Sequence, residues 1–287
     1  MRVPDEVRQC VVYLGLRVAK PDDGIAMHPE GTAFFAFMPA ETLENYGYIY
    51  LVTAKHVAKR LDGKEFLARV NMRDGGATFV NCVSVKWWYH PTEPTVDVAL
   101  FPWAPSLETF EYRYIPVDGF LTDEIIKSKS IGTGDEVFVT GLFAHLAGSQ
   151  RNIPIVRMGN IAMMPNEPVP TKMGNIDAYL IEARSIGGLS GSPAFVRATV
   201  PFGVGESYLL GLMHGHWDIP VDAIDDSATD DQRSEAYGRV NMGIAIVIPA
   251  KKILDVLNQQ GLIDMRRSYT EEERKRRQPT LDEASQT

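Results

Sequence analysis

The sequence predicts an all-β protein of antiparallel barrels or sandwiches, closed by a single helix near its end. Three observations predict it. Short runs of β-branched and aromatic residues recur throughout, at 10–18, 32–37, 48–53, 79–89, 97–101, 136–141, 153–160, 179–183, 208–212 and 242–248. Gly, Pro, Asn and Asp punctuate them, and few segments of helical length and period lie between, which argues against a doubly wound parallel sheet.

Taken in order, the first runs to about residue 101 read as one set of strands. Residues 102–123, rich in Pro and aromatics, read as a linker between two halves, and 165–174, with Pro165, Pro168 and Pro170, as an exposed loop. The segment 217–241 carries Asp218, Asp222, Asp225, Asp226, Asp230, Asp231 and Glu235, an acidic loop suited to solvent, to a flap, or to attracting basic substrate residues. Pro249 at a first turn, then Ile253, Leu254, Val256 and Leu257, give an apolar helical stripe that Gly261 is expected to stop. Thr270 three residues before Glu273 has a capping-box pattern ahead of Arg274-Lys275-Arg276-Arg277, a polar helix or tail.

Composition sets bounds. The 287 residues, 45% hydrophobic and 23% charged, suffice for one large core or two small ones. A net charge of -8 argues against nucleic acid or an anionic membrane as the main partner. No apolar run approaches the ~20 residues of a membrane span, and the acidic start lacks the order of a signal peptide. Cys10 and Cys82 allow at most one bridge, so the expectation is a soluble protein of the reducing cytoplasm.

The most informative stretch is Ser185-Ile186-Gly187-Gly188-Leu189-Ser190-Gly191-Ser192-Pro193. A nucleophilic serine needs a tight, glycine-permitted turn that presents its hydroxyl while backbone N–H groups face a developing oxyanion. Gly188 and Ser190 are placed to offer those groups. Upstream, His56 follows the apolar run Leu51-Val52-Thr53, and Asp97 opens another, Asp97-Val98-Ala99-Leu100. A serine hydroxyl is a poor nucleophile until an imidazole takes its proton, and the imidazole needs a carboxylate to fix its tautomer. Singly, His56 and Asp97 fit a strand end and a turn; jointly with Ser190 they fill three catalytic roles.

The set resembles the trypsin-like (chymotrypsin-fold) serine proteases, nearest the disulfide-free bacterial HtrA and glutamyl-endopeptidase types. Gly31-Thr32-Ala33-Phe34 is similar to the family's Gly-Ser-Gly-Phe strand, Thr53-Ala54-Lys55-His56 to its Thr-Ala-x-His, and Asp97 to Leu100 to its aspartate element. Gly134-Asp135-Glu136-Val137 with Gly141, Glu182-Ala183, Leu210-Gly211-Leu212 and residues 243–249 follow in family order. The resemblance implies two six-stranded antiparallel β-barrels and a C-terminal helix. The expected division is 1–115 for the barrel carrying His56 and Asp97, 116–264 for the barrel carrying Ser190 and the helix, and 265–287 for a polar tail. The order His, Asp, Ser also excludes an α/β-hydrolase, which runs Ser, acid, His.

Three departures matter. Leu189 stands before the nucleophile, where relatives place Asp or Asn, so the oxyanion loop is either mobile or set by packing. His214 falls where digestive relatives place a serine bonded to the catalytic aspartate; it is expected to assist Asp97 or to make a structural contact. His214 and His216 alternate as a conceivable metal pair, but no third ligand is named by spacing, and the expectation is no metal and no cofactor. Arg184, six residues before Ser190, matches the floor of the primary pocket in trypsin-like relatives, although an arginine there more often faces solvent.

The expected function is a regulated intracellular serine endopeptidase acting on a protein or peptide through an acyl-enzyme, with control resting on an activating partner, an allosteric signal, or a loop ordered only when substrate binds. The alternatives are a silent protease-fold scaffold and an esterase with the same triad.

Overall fold

The computed structural model describes residues 3–19, 24–171, 173–184, 187–198, 205–220 and 239–277. After a short helix α1 (Asp5–Gln9), the first half lays down β1 (Val11–Ala19), β2 (Ile25–Pro39) and β3 (Gly47–Thr53). Helix α2 (Lys55–Leu61) follows, then β4 (Phe66–Asn71), β5 (Ala77–Asn81), β6 (Trp88–Tyr89), β7 (Ala99–Pro102) and β8 (Ile115–Pro116). These strands form one eight-stranded sheet in the order β5-β4-β1-β2-β3-β7-β6, with β8 parallel to β2.

Among the described residues β5 and β6 do not pair, so this half is an open path of seven strands with β8 beside it, where six strands in a closed barrel are expected. The run 79–89 explains the difference: it breaks into two strands around 82–87, where Ser84 takes a left-handed φ of 58°. Just beyond β6, Pro91 and Pro94 have no N–H to offer a ladder, so pairing ends at Tyr89. Strand β4 and helices α2 and α3 were not foreseen from the pattern; β8 lies in the expected linker.

The second half opens with α3 (Asp123–Lys129), capped by Thr122, whose hydroxyl accepts from the Ile125 amide. It continues through β9 (Glu136–Gly141), β10 (Ile155–Met163), β11 (Val169–Thr171), β12 (Gly174–Ile176), β13 (Tyr179–Glu182), β14 (Pro193–Arg197), β15 (Ser207–Pro220) and β16 (Arg239–Pro249). Six of them close a barrel in the order β10-β13-β16-β15-β14-β9, while β11 and β12 form a small hairpin of their own. Buried apolar side chains fill each half: Leu14, Phe34, Leu51, Val52 and Leu100 in the first, Val137, Val139, Ile181, Leu210 and Val247 in the second. The acidic expectation at 217–241 falls largely on residues 221–238, outside the described residues.

Helix α4 (Ala250–Leu257) follows β16 directly, with Pro249 at its N-cap. Ile253, Val256 and Leu257 are fully buried, as the apolar stripe predicts. Gly261 does not end it: the break comes at Asn258 and Gln259, and Gly261 lies in the first turn of α5 (Gln260–Arg277). Thr270 is not a helix cap either. It sits ten residues into α5, buried, and its hydroxyl donates to the Arg266 carbonyl one turn back, 2.8 Å away. Helix α5 lies against the first sheet: the Tyr48 hydroxyl donates to the Arg266 carbonyl at 2.5 Å, and Arg266 donates to the Tyr50 hydroxyl at 3.1 Å. Arg274 bonds Thr42, and Arg277 bonds Glu273 and the Glu44 carbonyl, so much of the basic run is engaged within the chain.

Candidate active site

His56 is the second residue of α2, immediately beyond β3. No side chain of the N-cap residue Ala54 caps that helix; instead the Asp97 carboxylate reaches in, Oδ1 accepting from the His56 amide at 2.8 Å. Its other oxygen accepts from His56 Nδ1 at 2.7 Å and from His214 Nδ1 at 2.5 Å. A carboxylate only accepts, so both imidazoles carry their proton on Nδ1, and neutral His56 keeps its lone pair on Nε2. Asp97 is wholly buried. Burial pushes its carboxyl up, but the hydrogen bonds from His214 and His56 outweigh that and hold it at about 2.

The loop that delivers Asp97 is pinned from several sides. Lys55, buried next to His56, donates to the Pro94 carbonyl at 2.6 Å, and burial lowers its own pKa. From α4, Lys252 donates to both Glu93 oxygens at 2.6 and 2.7 Å and pairs with Asp177 at 3.3 Å. His90 Nδ1 accepts from the Glu93 amide at 3.0 Å, leaving Nε2–H toward Asp255 of α4 at 3.3 Å.

Ser190 comes from the second half. Two glycines with positive φ flank it, Gly188 at 98° and Gly191 at 83°. Gly191 admits no side chain: a Cβ there would lie 2.2 Å from the Thr32 carbonyl oxygen and 2.4 Å from Thr53 Oγ1. Leu189 is fully buried in the second core, so apolar packing anchors this position of the loop. The Ser190 hydroxyl donates to the His214 carbonyl at 3.3 Å, and no hydrogen bond joins it to His56.

His214 reaches Asp97 through a β-bulge. Met213 pairs with Val247 and Gly215 with Ile246, leaving His214 as the extra residue. The bulge interrupts the alternation on which a His214–His216 pair rests. The ligand atoms that gather are instead those of His56, Asp97 and His214, all within 4.8 Å of one another. That donor set suits a transition-metal ion; the Nδ1 atoms of both imidazoles are engaged on Asp97 Oδ2 in the hydrogen bonds above. Arg184 is exposed, in line with the solvent-facing alternative, and His216 is half-buried on β15.

Thr32 was not singled out from sequence as a site residue. Its amide donates to the Ser190 carbonyl at 2.9 Å and its hydroxyl to the Gly188 carbonyl at 2.9 Å. The only sequence signal was its place in the Gly-Thr-Ala-Phe strand.

The closed barrel, the packed first sheet and the cleft residues between them define the trypsin-like serine protease fold, as the sequence resemblance implies. The MamO protease domain from Magnetospirillum magneticum, in its apo form, matches at a TM-score of 0.52 and 16% identity, over 88% of this chain and 98% of that one. Deg5 matches at 0.47 and 14% identity, over 87% and 88%. No protein-family model and no curated protein matches the sequence.

Proposed function

We propose that the chain is a serine endopeptidase acting through an acyl-enzyme. The observation that carries this is the buried Asp97 carboxylate gripping both the amide and Nδ1 of His56, which fixes the tautomer a general base needs. Ser190 turns from the His214 carbonyl to His56 Nε2 and attacks the scissile carbonyl. His56 takes its proton and returns it to the leaving amine, and the amides of Gly188 and Ser190 hold the oxyanion. In this reading residues 1–115 supply base and acid, 116–264 supply nucleophile and oxyanion loop, and 265–287 lie outside the chemistry. Arg184, His214 and His216 border the substrate.

The substrate class is a protein or peptide, consistent with the fold. Cys10 and Cys82 are unpaired and buried, which supports a reducing, cytoplasmic setting. No helix among the described residues is long and apolar enough to cross a membrane.

A second reading, a silent scaffold, is favoured by one observation: the Ser190 hydroxyl rests on the His214 carbonyl and not on His56. Its release by an activating partner would reconcile the two. Intact-mass labelling with a fluorophosphonate decides between them. A single adduct lost in Ser190→Ala and in His56→Ala is the expected result. Folded wild-type protein that takes no adduct, alone or with candidate partners, overturns the hydrolase reading.

A further inference from the structure

We infer that Thr32 is the positioning residue of the oxyanion loop, reaching across from the first half to hold the second half's nucleophile turn in shape. For its catalytic consequence this rests on the hydrolase reading; its structural content stands on geometry alone.

Thr32 lies on β2, wholly buried, and each of its polar groups is committed. Its amide donates to the Ser190 carbonyl at 2.9 Å. Its hydroxyl donates to the Gly188 carbonyl at 2.9 Å and accepts from the Leu142 amide at 2.7 Å. Its own carbonyl accepts from Thr53 Oγ1 at 2.7 Å, which makes β3 a backing for the grip. One residue therefore holds the carbonyls of both Gly188 and Ser190. Each of those carbonyls belongs to a residue whose amide is assigned to the oxyanion, so fixing the carbonyls at both ends fixes the turn that aims the amides.

The arrangement also answers what Leu189 leaves open. Leu189 offers no polar contact, and apolar packing alone fixes depth but not rotation about the chain. Two directed hydrogen bonds supply the missing rotational restraint. Neighbouring positions are shaped around the grip. A Cβ on Gly191 would run into the Thr32 carbonyl, and a Cβ on Gly31 would sit 3.0 Å from the Ser190 carbonyl. Because Leu142 shares the hydroxyl, the segment after β9 is tied to the same atom; losing it leaves a buried amide and a carbonyl without partners.

The test compares Thr32→Val, which keeps shape and removes the hydroxyl, with Thr32→Ser, which restores it. Two readouts are taken: the second-order rate of fluorophosphonate labelling, and amide hydrogen exchange across the chain. Thr32→Val is expected to label about ten- to a hundredfold more slowly and to raise exchange selectively at Leu142 and 187–191, with β10 and β13 unchanged. Thr32→Ser is expected to recover both. The inference is overturned if Thr32→Val labels like wild type, if Thr32→Ser is as slow as Thr32→Val, or if exchange rises evenly throughout. Where Thr32→Val does not fold, Thr32→Ala, which adds no volume, takes its place in the same comparison. If wild type takes no label, the hydrolase reading fails, and the exchange arm still decides whether Thr32 shapes the loop.

Discussion

His56 and His214 donate to the same oxygen of Asp97 from opposite halves of the chain, their ring centroids 5.7 Å apart and their planes at 85°. One buried carboxylate thus joins His56 to the strand that also receives the Ser190 hydroxyl.

Asp97→Asn keeps the shape but puts an NH2 donor in place of one carboxylate oxygen; with Oδ1 held on the His56 amide, that donor faces His56 Nδ1 and disfavours its protonated tautomer. Fluorophosphonate labelling is expected to fall by about four orders of magnitude, with far-ultraviolet circular dichroism unchanged. A loss of tenfold or less would show that His56 does not need Asp97.

Asp97 also links stability to pH. Its folded value, about 2, lies below the ordinary 3.8, so its contribution is complete above 3.8 and is lost as pH falls through 2. The size is about 2 kcal/mol. Urea unfolding at pH 5 and at pH 2 is expected to show a steeper loss for wild type than for Asp97→Asn. His214→Ala, which removes one of the two imidazole donors, is expected to fall between them.

Lys252 in α4 grips Glu93, four residues before Asp97. Lys252→Met is expected to lower unfolding free energy by about 1–2 kcal/mol, since Glu93 is half exposed and keeps some hydration. It is also expected to slow labelling, because the Asp97 loop loses its tether to α4. Equal labelling would confine Lys252 to stability.

Gly191→Ala combines a φ of 83° with a clash against the Thr32 carbonyl. Labelling is expected to be abolished and thermal stability to drop by several degrees. A variant with wild-type melting and labelling would mean that the turn is not as drawn.

Chelation is expected to leave labelling unchanged, since Asp97 accepts a hydrogen bond from each of the two imidazoles. Activity lost on treatment with EDTA and restored by zinc would reassign that trio as a metal site.

The three candidate residues stand out in the sequence because each is announced by its neighbours: an apolar run before His56, a strand after Asp97, glycines around Ser190; of these, the structure joins His56 to Asp97 directly and sets the Ser190 hydroxyl on the His214 carbonyl. The spacing of the runs left sandwich and barrel open; the closed barrel of the second half is what the family resemblance implies. Thr32 was not legible as a site residue, because its hydroxyl meets a carbonyl 156 positions away and nothing local records that. The pairing of Thr270 with Glu273 misled for a related reason. The local pattern is real, but α5 begins ten residues earlier, so Thr270 meets a helix already formed. The open path of the first sheet was hidden inside 79–89, a run of strand-forming residues that Ser84 breaks by conformation and not by composition.

Helices α4 and α5 run from the second barrel back onto the first sheet, tying Lys252 to Glu93 and Arg266 to Tyr48 and Tyr50. The polypeptide is made in one direction, so a ribosome must deliver residues 250–277 before the strands laid down first acquire their last partners. A nascent chain halted short of residue 250 has His56, Asp97 and Ser190 in covalent order but leaves the Asp97 loop without its tether to α4. The Asp97 loop thus acquires its tether to α4 only once the last part of the chain has been made.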